Sequence, residues 1–117
     1  MAKKVAIFGS AGQLGQELNK VFTAHGYETR CWDRAALDIA DASLVEQALA
    51  SFDPGAVINA AAYNQVDVAE KEPVAAFQVN ALAVRNIALA CRQTGAKLVH
   101  FSTDYVFDGR ASRPYRE

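Results

Sequence analysis

The sequence alternates short apolar runs with longer stretches of helical periodicity, and this alternation constrains the fold more than any other feature. The runs that predict strands are residues 5–8, 27–32, 56–58 and 97–102. The first of them is continuously apolar, which is typical of a strand buried on both faces of a parallel sheet. Strands that alternate with helices build βαβ units with right-handed crossovers. The chain is therefore predicted to be an α/β protein with a Rossmann-type parallel sheet in the order 3-2-1-4, flanked by helices and ending at its fourth strand.

Three helices are predicted between these strands. The first follows Gly12, the second begins at a capping box formed by Ser43 and Glu46, and the third begins near Pro73 and stops at Gly95. The residues of the third helix that should face the core recur at helical spacing and are Val74, Phe77, Ala81, Val84, Ala88 and Cys91. Residues 70–72, which precede the third helix, are expected to form a solvated surface turn.

Composition excludes several classes of function. Hydrophobic residues make up 51% of the 117 residues, charged residues 21%, and the net charge is −1, as in a soluble globular domain without an electrostatic attraction to nucleic acid or membranes. The first apolar run is too short for a signal peptide, so a cytoplasmic location is expected. Cys31 and Cys91 have no CxxC pattern and no histidine at metal-ligand spacing. They are predicted to be reduced, packed thiols, and no metal site is expected.

Three glycines stand at three-residue intervals directly after the first strand and at the start of the first helix. Small side chains at Gly9 and Gly12 let backbone N–H groups approach a pyrophosphate, and Gly15 allows the helix to pack closely on the strand. The pattern is G-x-x-G-x-x-G, which differs from the common G-x-G-x-x-G, and a tight turn without a ligand is the alternative. The position after a buried first strand favours dinucleotide binding.

The end of the second strand should lie beside the adenosine ribose. An acidic residue there selects NAD, whereas an arginine accommodates the phosphate of NADP. Asp33 and Arg34 supply both, so NADPH and NADH remain equal candidates. Trp32 could lie against the adenine or in the core, and Asp38 could cap the second helix or face the adenine.

Two further segments follow the third and fourth strands, where ligands bind in open parallel sheets. The sequence N-A-A-A-Y occupies residues 59–63, V-D-V-A-E residues 66–70, and S-T-D-Y-V-F-D-G residues 102–109. With the glycine turn, these segments resemble the extended short-chain dehydrogenase/reductases and, within them, the dTDP-4-dehydrorhamnose reductase family. The similarity extends over essentially the whole chain.

The resemblance implies roles for individual residues. Combined with the glycine turn and the Asp33–Arg34 pair described above, it gives one set of predicted cofactor-binding positions. They are Gly9, Ala11, Gly12, Gln13, Leu14, Gly15, Asp33, Arg34, Asp38, Ile39, Ala61, Ala62, Tyr63, Asn64 and Asn80. The substrate-binding positions are Val66, Thr103, Asp104 and Tyr105. Thr103 is also the catalytic candidate, because the family hydrogen-bonds the reacting sugar oxygen from this position. In a purely structural role, Thr103 would close the end of a strand and Asn80 would satisfy a buried backbone group.

The implied activity is the NAD(P)H-dependent reduction of the 4-keto group of dTDP-4-dehydro-L-rhamnose to dTDP-L-rhamnose, a nucleotide sugar for cell-surface polysaccharides. In the family, a tyrosine supplies the proton and a lysine four residues later lowers the pKa of that tyrosine. No tyrosine in the 117 residues is followed by lysine at that spacing. The chain is therefore expected to be the N-terminal cofactor-binding domain of a longer reductase, to lack the substrate domain, and to be inactive alone.

Two other functions stay open at this stage. A non-catalytic NAD(P)-binding regulatory subunit would share the fold and the cofactor, and so would a sugar-nucleotide epimerase or dehydratase. The segment 102–109 argues against the epimerases, which usually carry a different serine-rich segment there. A sheet that ends at its fourth strand exposes an apolar edge, so self-association, for example into a homodimer, is also expected.

Overall fold

A computed structural model of the chain describes residues 3–62, 65–103 and 106–117. The strands are β1 Lys4–Phe8, β2 Glu28–Trp32, β3 Ala56–Asn59 and β4 Lys97–His100, and they form one parallel sheet. The helices are α1 Gln13–Ala24, α2 Ala42–Phe52, α3 Val66–Lys71, α4 Pro73–Phe77 and α5 Ala83–Thr94, with a π-helical segment Gln78–Leu82 between α4 and α5. The predicted α/β class, with a parallel Rossmann-like sheet flanked by helices, is confirmed.

The predicted strand order 3-2-1-4 is wrong, because the observed order is β2-β1-β3-β4. The predicted order places β2 inside the sheet, yet β2 contains the exposed residues Glu28 and Arg30, which suit an edge strand. In contrast, Val57, Ile58 and Asn59 of β3 are all buried, as in a strand with neighbours on both sides. The chain therefore returns from β2 across β1 instead of continuing outward.

The helices cover both faces of the sheet. On one face, Leu18 and Phe22 of α1 pack against a cluster formed by Val5, Ile7 and Ile58. On the other face, α2 and α5 pack over a larger cluster, whose fully buried members include Phe8, Val45, Leu49, Val57 and Ile87. Each such side chain contributes about 1.5–3 kcal/mol to stability by its burial. The crossover from β1 leads to β2 on one side of the sheet, and the crossover from β3 leads to β4 on the other. The carboxyl ends of β1 and β3 therefore flank a topological switch point, where open α/β sheets bind ligands.

The second helix is capped by a different residue from the one predicted. Asp41 adopts an extended backbone, and its carboxylate accepts a hydrogen bond from the Leu44 N–H at 3.2 Å. Ser43 lies inside the first turn instead, where its hydroxyl oxygen accepts a hydrogen bond from the Gln47 side chain at 3.0 Å. The capping-box prediction at Ser43 and Glu46 is therefore wrong, since only a residue with non-helical backbone can act as the N-cap.

The segment before the long helix is more ordered than predicted. Residues 70 and 71 end the short helix α3, and Glu72 separates it from α4. All three residues are exposed, as the prediction of a solvated surface segment requires. Pro73 is the first residue of α4, and Gly95 ends α5 in the left-handed conformation with φ of 77°, so both predicted limits of the long helix are confirmed.

The π-helical segment changes which face of the long helix meets the sheet. The inward residues are Ala83, Ile87, Ala90 and Cys91. Of the predicted stripe, Val74, Phe77 and Ala88 are exposed, Ala81 and Val84 are half-buried, and Cys91 is buried. A π turn holds more residues than the 3.6 of an α-helical turn, so it rotates everything that follows relative to α4. The predicted stripe is wrong because it assumes one uninterrupted helical period.

The long helix Pro73–Thr94 is long and apolar enough to cross a membrane by length and composition alone. Core helices of globular proteins meet the same criterion. Ile87, Ala90 and Cys91 are buried against the sheet, whereas Val74, Phe77 and Leu89 of the same long helix are exposed.

Both cysteines are free thiols in the structure. Burial raises the pKa of each, and at Cys31 a hydrogen bond with Thr29 partly opposes that increase. A raised pKa keeps the thiolate population small at neutral pH, so both side chains behave as packing residues.

The segment 106–117 folds on itself without regular secondary structure beyond a single turn. The rings of Phe107 and Tyr115 stack with centroids 4.3 Å apart, and the Tyr115 hydroxyl donates to the Asp108 carboxylate at 3.1 Å. Hydrogen bonds from the Arg110 N–H and from Tyr115 lower the pKa of Asp108. Because the pKa of Asp108 is lowered in the folded state, the stability that these hydrogen bonds contribute is present above the ordinary carboxyl pKa. That stability is lost as the pH falls through the folded-state pKa.

Candidate functional site

A cavity of about 360 Å³ opens at the carboxyl ends of β1, β2 and β3. Its walls come from the glycine turn after β1, the segment after β2, the segment after β3 and the start of the long helix. The predicted cofactor-binding residues that line it are Gly9, Ala11, Gly12, Asp33, Arg34, Asp38, Ile39, Ala61 and Ala62. Residues from four distant parts of the sequence therefore meet at the switch point of the sheet.

The glycine turn is packed tightly against the backbone at two of its three glycines. Gly9 has φ of 78°, and a Cβ atom there would lie 2.5 Å from the Ala61 nitrogen. A Cβ on Gly15 would collide with the Gly9 carbonyl oxygen and would lie 2.7 Å from the Ser10 Cα. A Cβ on Gly12 meets only the Gly9 carbonyl oxygen, at an ordinary 3.4 Å. The fold thus requires glycine at 9 and 15, whereas the open space beside Gly12 belongs to the cavity.

The N-terminus of α1 faces this cavity without an anionic side chain of its own. Gly12 is the N-cap and offers no side-chain hydrogen bond, and the first turn contains no acidic residue. The first N–H groups of a helix have no acceptor within it, and the helix dipole places partial positive charge there. Gln13 and Leu14 occupy this first turn, and the Gln16 side chain donates to the Ala11 carbonyl at 2.8 Å and so supports the turn. This arrangement can hold a phosphate group.

The segment after β2 places an acidic and a basic residue side by side on the cavity wall. One carboxylate oxygen of Asp33 accepts a hydrogen bond from the Ala36 N–H at 2.8 Å, and the Asp33 carbonyl accepts one from the Leu37 N–H at 3.1 Å. Arg34 is exposed. Asp33 therefore shapes the turn with one oxygen, while Arg34 offers a cation at the mouth of the cavity.

The structure also places Trp32 and Asp38, the two residues for which the sequence left alternatives open. The indole ring of Trp32 stacks on Phe8 with centroids 5.2 Å apart and meets the edge of Phe52 at 6.4 Å, so it packs with the core although it also lines the cavity. Asp38 does not cap α2, because Asp41 does. Its carboxylate accepts a hydrogen bond from the Ala40 N–H at 3.0 Å, and the residue lines the cavity.

A buried asparagine shapes the wall after β3. Asn59 is 1% exposed, and its side-chain oxygen accepts a hydrogen bond from the Ala61 N–H at 3.1 Å. Its amide nitrogen lies 3.2 Å from Nδ1 of His100, at the end of β4. The Ala60 N–H donates to the Phe8 carbonyl at 2.9 Å, which ties the same loop to β1. These contacts hold Ala61 against the glycine turn.

Several cavity residues were missed by the sequence prediction. They are Leu37, Ala40, Ala60, Ala75, Gln78 and Val79. Three of them belong to α4 and the π-helical segment, which the predicted helical period directed elsewhere. The side chains at these positions are uncharged and carry no chemical signal that sequence alone could have used.

The predicted residues Asn80 and Thr103 lie apart from the cavity walls. Asn80 is an exposed residue of the π-helical segment, and Thr103 is exposed beyond the end of β4, with its carbonyl accepting a hydrogen bond from the Val106 N–H at 3.3 Å. Val66 begins α3. The predictions for Tyr63, Asn64, Asp104 and Tyr105 fall outside the described residues. Within the described ranges, no cluster of three or more His, Cys, Asp or Glu side chains could hold a metal ion.

Known proteins resemble the chain over nearly its whole length. Residues 3–117 match the family described as the RmlD substrate binding domain. A dTDP-4-dehydrorhamnose reductase of Streptomyces griseus is 44% identical over 111 residues, which are 95% of this chain and 36% of that protein. The chain thus spans well under half the length of that relative.

Solved structures give the same picture. The crystal structure of dTDP-4-dehydrorhamnose reductase from Bacillus anthracis in complex with NADP superimposes with a TM-score of 0.91 at 42% identity, over 96% of this chain and 40% of that one. The UDP-glucose 4-epimerase of Thermus thermophilus, in complex with NAD, reaches a TM-score of 0.77 at 32% identity, over 81% of this chain and 36% of that one. The family match covers residues 3–117, and the chain belongs to the RmlD family.

Proposed function

We propose that the 117 residues form a dinucleotide-binding Rossmann domain that holds NADPH or NADH in the cavity at the switch point. The observation that carries this proposal is the open N-terminus of α1 beside Gly12, which suits the pyrophosphate of a dinucleotide. Asp33 and Arg34 would face the adenosine ribose. A structural relative, the dTDP-4-dehydrorhamnose reductase from Bacillus anthracis, was solved in complex with NADP, which supports a dinucleotide as the ligand.

The proposed reaction is the reduction of the 4-keto group of dTDP-4-dehydro-L-rhamnose to dTDP-L-rhamnose. The bound nicotinamide would supply the hydride. Thr103 would donate a hydrogen bond to the C4 oxygen as negative charge develops there, and Val66, Asp104 and Tyr105 would contact the sugar nucleotide. Tyr63, Asn64 and Asn80 would complete the cofactor site. The names of relatives such as the Streptomyces griseus reductase support this assignment.

Three further features belong to the same proposal. The substrate domain, with the tyrosine and lysine of the proton relay, would lie outside residues 1–117, since the relatives are longer than their match to this chain. A cytoplasmic location fits the two free cysteines, because thiols stay reduced there. A homodimer fits the edge strand β4, where Val99 is 46% exposed, as is Phe101 just beyond it.

The reductase proposal can be tested in a chimera that joins residues 1–117 to the C-terminal remainder of the Streptomyces griseus relative. We expect oxidation of NADPH that depends on dTDP-4-dehydro-L-rhamnose, and we expect Thr103→Val to reduce the turnover while leaving NADPH binding unchanged. A chimera that folds and binds NADPH but turns over no substrate would contradict the reductase proposal and favour a regulatory role.

An epimerase is the second candidate, because the Thermus thermophilus epimerase shares this fold at 32% identity. An epimerase returns the hydride to the sugar and consumes no cofactor overall. Interconversion of UDP-glucose and its C4 epimer by the same chimera, with NAD and without net change of the cofactor, would therefore favour the epimerase. Stoichiometric oxidation of NADPH with dTDP-4-dehydro-L-rhamnose identifies the reductase.

Arg34 is expected to set the preference between the two cofactors. It is the exposed cation on the cavity wall, so Arg34→Ala should weaken binding of NADPH about tenfold and binding of NADH by less than about twofold, because only NADPH carries the ribose phosphate. Calorimetric titration of both cofactors measures the two affinities. Equal losses for NADPH and NADH would mean that Arg34 does not contact the phosphate.

A further inference from the structure

The side chain of Asn86, on α5, reaches the segment that forms one wall of the cavity. Its amide nitrogen lies 3.1 Å from the Ile39 carbonyl oxygen and 3.2 Å from the Ala40 carbonyl oxygen. A primary amide carries two N–H donors, so both hydrogen bonds can form at once. Ile39 and Ala40 line the cavity whereas Asn86 does not, so the amide supports the wall from behind.

The supported wall has little regular structure of its own. Its internal hydrogen bonds are local, from the Ala40 N–H to the Asp38 carboxylate at 3.0 Å and from the Asp41 N–H to the Asp38 carbonyl at 3.0 Å. Ile39 is 9% exposed and fixes the segment in the core by apolar packing. Packing is non-directional, whereas two hydrogen bonds from one amide fix both the distance and the rotation of the Ile39 and Ala40 peptides. The amide of Asn86 therefore holds the Ile39 and Ala40 peptides of this wall in a fixed orientation relative to α5.

We propose that Asn86 is a positioning residue for the dinucleotide and sets the affinity of its adenosine half. This inference rests on the proposed cofactor function, and it places the effect at the adenosine half because the wall continues from the Asp33–Arg34 pair at the end of β2. Asn86 acts through the backbone of Ile39 and Ala40 and makes no contact with the cofactor itself.

Asn86→Asp tests the proposal with little change in shape. The carboxylate accepts hydrogen bonds but cannot donate them, so it would face two carbonyl oxygens with the wrong polarity. We expect about tenfold weaker binding of NADPH and of adenosine 2′,5′-bisphosphate, in line with the loss of two hydrogen bonds. Asn86→Ala, which removes the donor without adding charge, should also lower the affinity for both ligands.

Thr94→Val is the matched control on the same helix. The Thr94 hydroxyl also donates to backbone carbonyls, at 3.2 Å to Ala90, but it lies at the far end of α5 from the cavity. Each variant is titrated calorimetrically well below its melting temperature, with circular dichroism as the check on folding. A residue with a purely structural role would, when substituted, lower the melting temperature and leave the dissociation constant unchanged. We expect this behaviour from Thr94→Val but not from the Asn86 variants.

Two results would overturn the inference. The first is that folded Asn86→Asp and Asn86→Ala bind NADPH with affinities within twofold of that of the unsubstituted chain. The second is that the variants bind NADPH more weakly but bind adenosine 2′,5′-bisphosphate as tightly as the unsubstituted chain does. If the unchanged chain binds neither NADPH nor NADH, the proposed function itself fails, and this inference fails with it. If the unsubstituted chain and both Asn86 variants all bind NADPH normally, the role of Asn86 is rejected while the proposed cofactor function stands.

Discussion

Gly9→Ala is expected to destabilise the domain by about 3 kcal/mol, through two separable effects. The left-handed backbone at φ of 78° costs a non-glycine residue about 1–3 kcal/mol, and the new Cβ, 2.5 Å from the Ala61 nitrogen, adds about 1–3 kcal/mol of overpacking. The Ala61 backbone cannot retreat freely, because Asn59 holds it through a hydrogen bond of 3.1 Å. Urea unfolding of the variant measures the loss.

Gly26→Ala is the control that separates the two effects. Gly26 has a similar φ of 83°, but no atom lies within 4 Å of an added Cβ. Its substitution should therefore show the backbone cost alone and should destabilise the domain clearly less than Gly9→Ala. Equal losses of unfolding free energy at the two positions would mean that the loop after β3 does not press on the glycine turn.

Gly12→Val is expected to weaken cofactor binding at least about a hundredfold while the domain stays folded. The fold leaves room at this position, where an added Cβ meets only the Gly9 carbonyl oxygen at 3.4 Å. The remaining methyl groups would occupy the approach of a phosphate to the first N–H groups of α1. Loss of the glycine N-cap should cost stability only on the order of 1 kcal/mol.

The same substitution at Gly55 provides the comparison for Gly12→Val. Gly55 also lies in an uncrowded position, with its nearest added contact 3.9 Å away at the Lys4 carbonyl oxygen, and it does not line the cavity. Gly55→Val should therefore bind NADPH normally in a calorimetric titration. Unchanged affinity in a folded Gly12→Val protein would mean that the dinucleotide does not pass this turn.

Local signals in the sequence predicted the parts of the fold that depend on neighbouring residues. The apolar run of β1 is a local signal, and Gly15 is required by its contacts with the nearby Gly9 and Ser10, so the strand, the turn and the start of α1 were predicted correctly. The predicted strand order was wrong, although the sequence contained a signal for the correct one. The charged residues Glu28 and Arg30 of β2 suit an edge strand, and β2 lies at the edge of the observed sheet.

The long helix shows why periodicity alone predicts a buried face poorly. A single π-helical segment rotates α5 relative to α4, so Val74 and Phe77 are 69% and 60% exposed, while Ile87 is fully buried. No residue type reliably marks such a segment. Its consequence extends to the cavity, because Gln78 and Val79 of the same segment join the wall.

The supports of the site depend on contacts between residues far apart in sequence. Asn86 holds Ile39 across 47 positions, and Asn59 contacts His100 across 41 positions. Such pairs leave no pattern in a single sequence, because either asparagine could equally be a solvated surface residue. Motifs in the sequence predicted residues that line the cavity, such as Gly9, Gly12 and Arg34, whereas the residues that support its walls required the structure.

A crystal structure of the chain grown with NADP tests the central claim most directly. We predict that the pyrophosphate oxygens lie within hydrogen-bonding distance, about 2.7–3.2 Å, of the backbone nitrogens in the first turn of α1, and that the adenosine ribose lies beside Arg34. A cofactor bound elsewhere on the sheet, or crystals that remain free of NADP at saturating concentration with the cavity accessible, would contradict the assignment of this cavity as the dinucleotide site.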